Sequence, residues 1–237
     1  MIARRRVPGW VARTVGRIDD YRHILAIQLR AWLRPDPPPS FATGDGVPVL
    51  ILPGIYEPWQ SLERLARALN EAGHPVVVVP ELGRNLGALR TSARVVARRL
   101  RASGTDRLVI VAHSKGGLIG KALMLGPIGH RVLGMVAIST PFGGSRHARW
   151  FPDPTVRLLS DLDPHLGSLR ARHEVDPRIV SVYASFDPHI PGGSALAGAE
   201  NVVVDVVGHF RVVDHPQVRR ATLDAVARFA AGPTRGV

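Results

Sequence analysis

The stretch "LVIVAHSKGGLIGKAL", residues 108–123, decides how the rest of the chain is read. Five apolar residues lead to Ser114, which stands between His113 and Lys115; Gly116 and Gly117 follow, and then a helix-like run to Leu125. An apolar run without polar alternation reads as a strand buried on both faces, as in a parallel sheet covered by helices. The serine therefore falls at a strand-to-helix turn on the carboxyl edge of that sheet, where folds of this class bind their ligands. A nucleophile there needs small neighbours, which Ala112 and Gly116 provide, and the helix N-terminus favours developing negative charge.

Working outward, the same alternation continues in both directions. "VPVLILPG", "HPVVVVPEL", "DRLVIVAHS" and "RVLGMVAIST" read as strands, with helices expected over 60–72, 89–102 and 115–125 between them. The rhythm breaks over 141–177, which is rich in Pro, Gly, Arg and His. It resumes with "RIVSVYAS", "NVVVDVVG" and a closing helix over 217–230. The expectation is one α/β domain over 41–237 with a mostly parallel central sheet, helices on both faces and a short inserted cap over about 141–177. Residues 1–40 stand apart: apolar residues recur at steps of three and four over 10–34, an amphipathic helix, and "RPDPPPS" then ends it as a linker.

Composition narrows the classes. With 237 residues, 45% of them hydrophobic, the chain can bury one sizeable core, and without cysteine it has no disulfides, thiolate metal sites or cysteine nucleophile. The net charge is +12, but the basic residues are scattered, aromatics make up only 5%, and no nucleic-acid motif is present, so no nucleic-acid partner is expected. Arg13 and Arg17 interrupt what would be the apolar core of a signal peptide, and no apolar run approaches the ~20 residues of a membrane span. A cytoplasmic protein is expected. Residues 1–34, with eight arginines against two aspartates, have three readings, a lid packed on the domain, a peripheral contact with an anionic membrane or a partner-binding helix, of which the first two are favoured.

The turn at Ser114 resembles the nucleophile elbow of the α/β-hydrolase family, G-x-S-x-G, standing here as A-H-S-K-G with Ala112 in place of the first glycine. "YASFDPHIPGGSA" is similar to the family's acid loop and places Asp187 just past a strand, and "VVGHFRVVDHPQV" is similar to its base loop and places His209. "LILPGIYEPW" resembles the oxyanion loop of lipases with Pro53 at the usual histidine, and "STPFGGS" resembles the segment beside the active site after the next strand. The resemblance implies an α/β-hydrolase fold and a lipase- or esterase-like ester hydrolase. Its catalytic residues would be Ser114, Asp187 and His209, with the backbone N–H groups of Ile55 and Lys115 as the oxyanion hole and neither cofactor nor metal. The substrate would be a small acyl ester or lipid, in a pocket for which Tyr56, His113, Pro141, Phe142 and Ile190 are candidate lining residues. Asp205 and Asp214 are nearer His209 in sequence than Asp187, but Asp205 sits about 13 Å back along its strand at ~3.3 Å per residue, and Asp214 approaches a helix start. The same triad would also serve acyl transfer, or a thioesterase or amidase, and the non-catalytic alternative is a binding protein on a hydrolase fold.

Overall fold

Residues 27–29, 31–33 and 36–232 are described by a computed structural model. Six strands form one sheet: β1 Val49–Leu52, β2 Val76–Val77, β3 Leu108–His113, β4 Val132–Ile138, β5 Ile179–Phe186 and β6 Glu200–Val207. They lie in the order β2-β1-β3-β4-β5-β6, and every pairing is parallel. The helices are α1 Glu63–Glu71, α2 Leu89–Ala102, α3 Lys115–Met124, α4 Pro154–Arg157, α5 Pro164–Arg170 and α6 Pro216–Ala231.

The strand alternation divides the core into two layers. Leu50, Leu52, Ile110, Ala112, Met135 and Ala137 meet Val96 and Leu100 of α2 and Leu118 and Ile119 of α3 on one face. Val49, Ile51, Val109, Val111, Val136 and Ile138 meet Leu65 and Leu69 of α1 and Val218 and Val226 of α6 on the other. Each Val, Leu, Ile or Met among them stabilises the fold by roughly 1.5–3 kcal/mol when fully buried, so two-sided burial is what makes the central strands apolar throughout.

The edges depart from that rule. In β2 only Val76 and Val77 pair with β1, because Pro80 follows and opens a short 3-10 helix. β6 is the opposite edge and is largely exposed or half-buried. The stretch at 141–177, where no period is legible, holds two short helices, α4 and α5, capped by Asp153 and Asp163, whose side chains accept from Thr155 and Leu166 N–H. The helix expected over 10–34 lies largely outside the described residues. Where it is described it is helical, with Ile27 buried and Gln28 Nε2 donating to the Tyr56 carbonyl at 2.5 Å.

Candidate active site

β3 delivers Ser114 to the sheet edge in a conformation few L-residues adopt, φ 51° and ψ −122°. Its N–H donates to the Ile138 carbonyl at 2.9 Å, and α3 begins at the next residue. The two glycines are there for close packing: a Cβ on Gly116 would lie 2.1 Å from the Leu52 carbonyl oxygen, and one on Gly117 would lie 2.0 Å from Thr140 Oγ1. Ser114 is therefore pressed against the end of β1 and the start of the loop after β4. Ala112 is a fully buried strand residue, so a methyl at the family's first glycine is accommodated inside the core.

His209 and Asp187 come to this turn from the ends of β6 and β5. His209 Nε2 stands 2.9 Å from Ser114 Oγ, and His209 Nδ1 stands 2.6 Å from Asp187 Oδ2. All three residues are less than 9% exposed. The second Asp187 oxygen accepts from the backbone N–H groups of His189 at 2.8 Å and Ile190 at 3.2 Å, so the carboxylate is locked by its own loop. Burial pushes the Asp187 carboxyl up, but the His209 charge, the hydrogen bond from His209 and the His189 N–H outweigh that and hold it below the usual carboxylate range. The ordering Ser–His–Asp allows an alkoxide to form at Ser114 with its proton moved to Nε2.

The other sequence candidates fall as follows. Ile55 lies in the turn closed by the Gly54 N–H donating to Glu57 Oε2 at 2.9 Å. Lys115 is the first residue of α3, where backbone N–H groups have no partner within the helix. Its ammonium points elsewhere, donating to the carbonyls of Asn85 and Gly87 at 2.7 and 2.5 Å, and burial lowers its pKa to about 8. Tyr56 is half-buried at φ 62°, and its hydroxyl donates to Asp153, the N-cap residue of α4. Phe142 and Ile190 are 4% and 3% exposed, Pro141 is buried, and Phe142 packs into the core layer containing α3. His113, a candidate for the pocket wall, is instead enclosed, because both of its nitrogens are engaged by Glu57 and by the His209 backbone. Asp205 is exposed and accepts from Ser185, Asp214 faces Arg64 at 3.7 Å, and the carboxylate at His209 Nδ1 is that of Asp187.

Glu57 is the residue that sequence reasoning passed over. It reads as an ordinary acid in a turn, and only its position between apolar neighbours and Pro58 hints that it is buried. Among the described residues, Asp187, His189 and His209 form the one group whose atoms converge within 4.8 Å as metal ligands would. The 2.6 Å between Asp187 and His209 is a hydrogen bond, closer than two ligands stand around one zinc ion with bonds of ~2.0 Å each in tetrahedral geometry.

No protein-family model matches the chain, and no curated protein matches it in sequence. Solved structures do. A metagenome-derived lipolytic enzyme superposes with a TM-score of 0.59 at 15% identity, covering 78% of this chain and 95% of its own. A Bacillus licheniformis lipase gives 0.61 at 15% identity, over 81% of this chain and 94% of its own. A bacterial membrane phospholipase A gives 0.54 at 17% identity, over 92% and 96%. At such identities the likeness is one of architecture, and together with the six-stranded parallel sheet it establishes that this chain has the α/β-hydrolase fold.

Proposed function

We propose that the chain hydrolyses carboxylic esters through an acyl-enzyme on Ser114. The observation that carries this reading is the continuous chain Ser114 Oγ–His209–Asp187, at 2.9 and 2.6 Å, ending on a strained turn in front of a helix N-terminus. Ser114 Oγ attacks the ester carbonyl carbon as its proton passes to His209 Nε2, and Asp187 holds the Nδ1–H and stabilises the imidazolium. The N–H groups of Ile55 and Lys115 receive the oxyanion. Collapse returns the His209 proton to the leaving alcohol; a water, deprotonated by His209, then releases the acid and restores Ser114.

The substrate reading is an acyl ester of lipid type, met at an anionic membrane surface. Seven large apolar residues are markedly exposed in two segments: Leu29, Trp32 and Leu33 near the N-terminus, and Trp150, Phe151, Leu158 and Leu162 in the cap. Tyr56 joins the two, accepting from Gln28 through its carbonyl and donating to Asp153 through its hydroxyl. With a net charge of +12, such an apolar surface suits an anionic interface. Among the described residues no helix is long and apolar enough to cross a membrane.

Labelling with a fluorophosphonate and turnover of p-nitrophenyl esters of increasing acyl length test the chemistry. The native protein should be labelled and Ser114→Ala should not; labelling of both, or of neither, overturns the acyl-enzyme. Co-sedimentation with phosphatidylglycerol and phosphatidylcholine vesicles tests the surface. Salt-sensitive binding to the former, weakened by Trp32→Ser with Trp150→Ser, is expected; equal binding to both overturns it.

A further inference from the structure

Glu57, in the loop after β1, and His113, the last residue of β3, are each 1% exposed. His113 Nδ1 lies 2.9 Å from Glu57 Oε2 and 2.8 Å from Oε1, and on the other side of the ring Nε2 lies 2.9 Å from the backbone carbonyl oxygen of His209. A carbonyl oxygen can only accept, so Nε2 carries a proton. Glu57 Oε2 accepts from Gly54 N–H, and both carboxylate oxygens stand within 2.9 Å of Nδ1, the arrangement of an ionised carboxylate accepting from a ring N–H, so Nδ1 carries a proton too. The Glu57 carboxyl lies below its ordinary value, in keeping with that. Two acceptors on opposite sides of one ring make His113 an imidazolium.

The pair reaches both catalytic loops. Glu57 Oε2 accepts from Gly54 N–H at 2.9 Å, which closes the turn that presents Ile55. A Cβ on Gly54 would lie 2.7 Å from Glu57 Oε1, so the carboxylate sits there because residue 54 has no side chain. The other end of the pair holds the main chain of the residue that serves Ser114 as base. The His113 and His209 ring centroids are 4.8 Å apart.

Resting on the ester-hydrolase reading, we propose that the His113 imidazolium and the Glu57 carboxylate form a positioning pair for the reaction. One N–H of His113 fixes the His209 loop and the other fixes the oxyanion turn, while its positive charge beside the His209 ring keeps that ring neutral and ready to take the serine proton. The groups facing His209 divide accordingly. The Asp187 carboxylate favours a protonated ring, the imidazolium opposes it, the Ser114 hydroxyl is uncharged, and the His189 and Phe210 rings pack at 5.1 Å. Around His113 stand the Glu57 carboxylate and the rings of His209 and Phe210. Glu57 is bound at His113 Nδ1, opposite the nitrogen that holds the His209 carbonyl, and its carboxylate also interacts with His209, offsetting part of the imidazolium's effect.

The experiment compares full-length wild type, Glu57→Gln and Glu57→Ala on p-nitrophenyl butyrate across pH 5–9, with thermal melts and imidazole ¹⁵N spectra assigned through His113→Gln. Glutamine keeps the hydrogen bonds, its N–H donating to His113 Nδ1 and its oxygen accepting from Gly54, but it discharges His113. It should melt close to wild type with KM within about threefold, while the acid limb of kcat/KM moves up: a unit charge 4.8 Å away in an effective dielectric of about 20 is worth about 2.5 pH units, and the simultaneous loss of the Glu57 charge offsets part of that, leaving about one. Alanine removes the tie as well and should lower kcat by a further tenfold or more, on the order of a lost positioning contact. Wild-type His113 should show both ring nitrogens protonated at pH 7.5 and Glu57→Gln only one. A singly protonated His113 in wild type, or a Glu57→Gln profile that does not move, overturns the proposal. Should wild type neither turn over esters nor take the fluorophosphonate, the hydrolase reading fails by itself, and the ¹⁵N arm still decides whether the buried pair is charged.

Discussion

Replacing Asp187 by asparagine tests the proposed mechanism at its most specific point. In the native site one carboxylate oxygen accepts from His189 and Ile190 N–H and the other from His209 Nδ1. An asparagine has one oxygen, and the two backbone donors claim it, because an NH2 group cannot face N–H groups. The amide NH2 then faces His209 Nδ1 and turns it into an acceptor, so Nε2 carries the ring proton and cannot take the one on Ser114. Turnover should fall on the order of 10⁴-fold, and by no less than ~10²-fold. Raising the pH should not restore it, because the defect is the tautomer and not the charge. Asparagine has the shape of aspartate and keeps the backbone bonds, so the loss of one charge-assisted hydrogen bond costs about 1.5–3 kcal/mol, or a few degrees in Tm. The assay is kcat on a p-nitrophenyl ester for Asp187→Asn beside Asp205→Asn, with calorimetric Tm for both. Asp187→Asn within tenfold of wild type, with Asp205→Asn down a hundredfold, would refute the assignment of the acid.

Other expectations follow from the surroundings of the same turn. Lys115 titrates near 8 when folded against about 10.4 unfolded; between those values the unfolded chain keeps a proton the folded chain has released, so stability rises with pH across that window. Urea unfolding from pH 7.5 to 10.5 should show a gain of at most about 3 kcal/mol that Lys115→Met lacks, and parallel curves would contradict it. Gly116→Ala forces a Cβ against the Leu52 carbonyl, a backbone contact that cannot yield, and should cost about 3 kcal/mol or more in thermal unfolding. Tyr56→Phe removes the tie between the oxyanion turn and Asp153 of the cap. It should raise KM for long-chain esters severalfold and leave the melting temperature within about 4 °C, as loss of a part-buried hydrogen bond allows; an unchanged KM would separate the cap from substrate binding.

Much of the architecture was legible in the residues because period and burial are local consequences of composition. The apolar runs mark all six strands, α2 spans the expected 89–102, and α3 and α6 fall within a residue or so of expectation. The serine at the end of β3 declares a turn because strand, small residues and helix meet there. What sequence could not weigh was the company each side chain keeps. Asp187, His209 and Ser114 lie in three separate loops that only parallel registration of β3, β5 and β6 brings to one edge. His113 reads as a pocket residue beside the nucleophile, and Glu57 reads as a turn acid; 56 positions of chain separate them. Lys115 enters from the sequence only for its backbone N–H, yet its ammonium caps two carbonyls of a loop that arrives from β2. Each of these is a buried charge, whose position is set by where a compensating partner stands across the fold. Local pattern therefore determined the strands, the helices and the turn, while the partners of the buried charged and polar groups, and with them the arrangement of the site, were decided by tertiary packing alone.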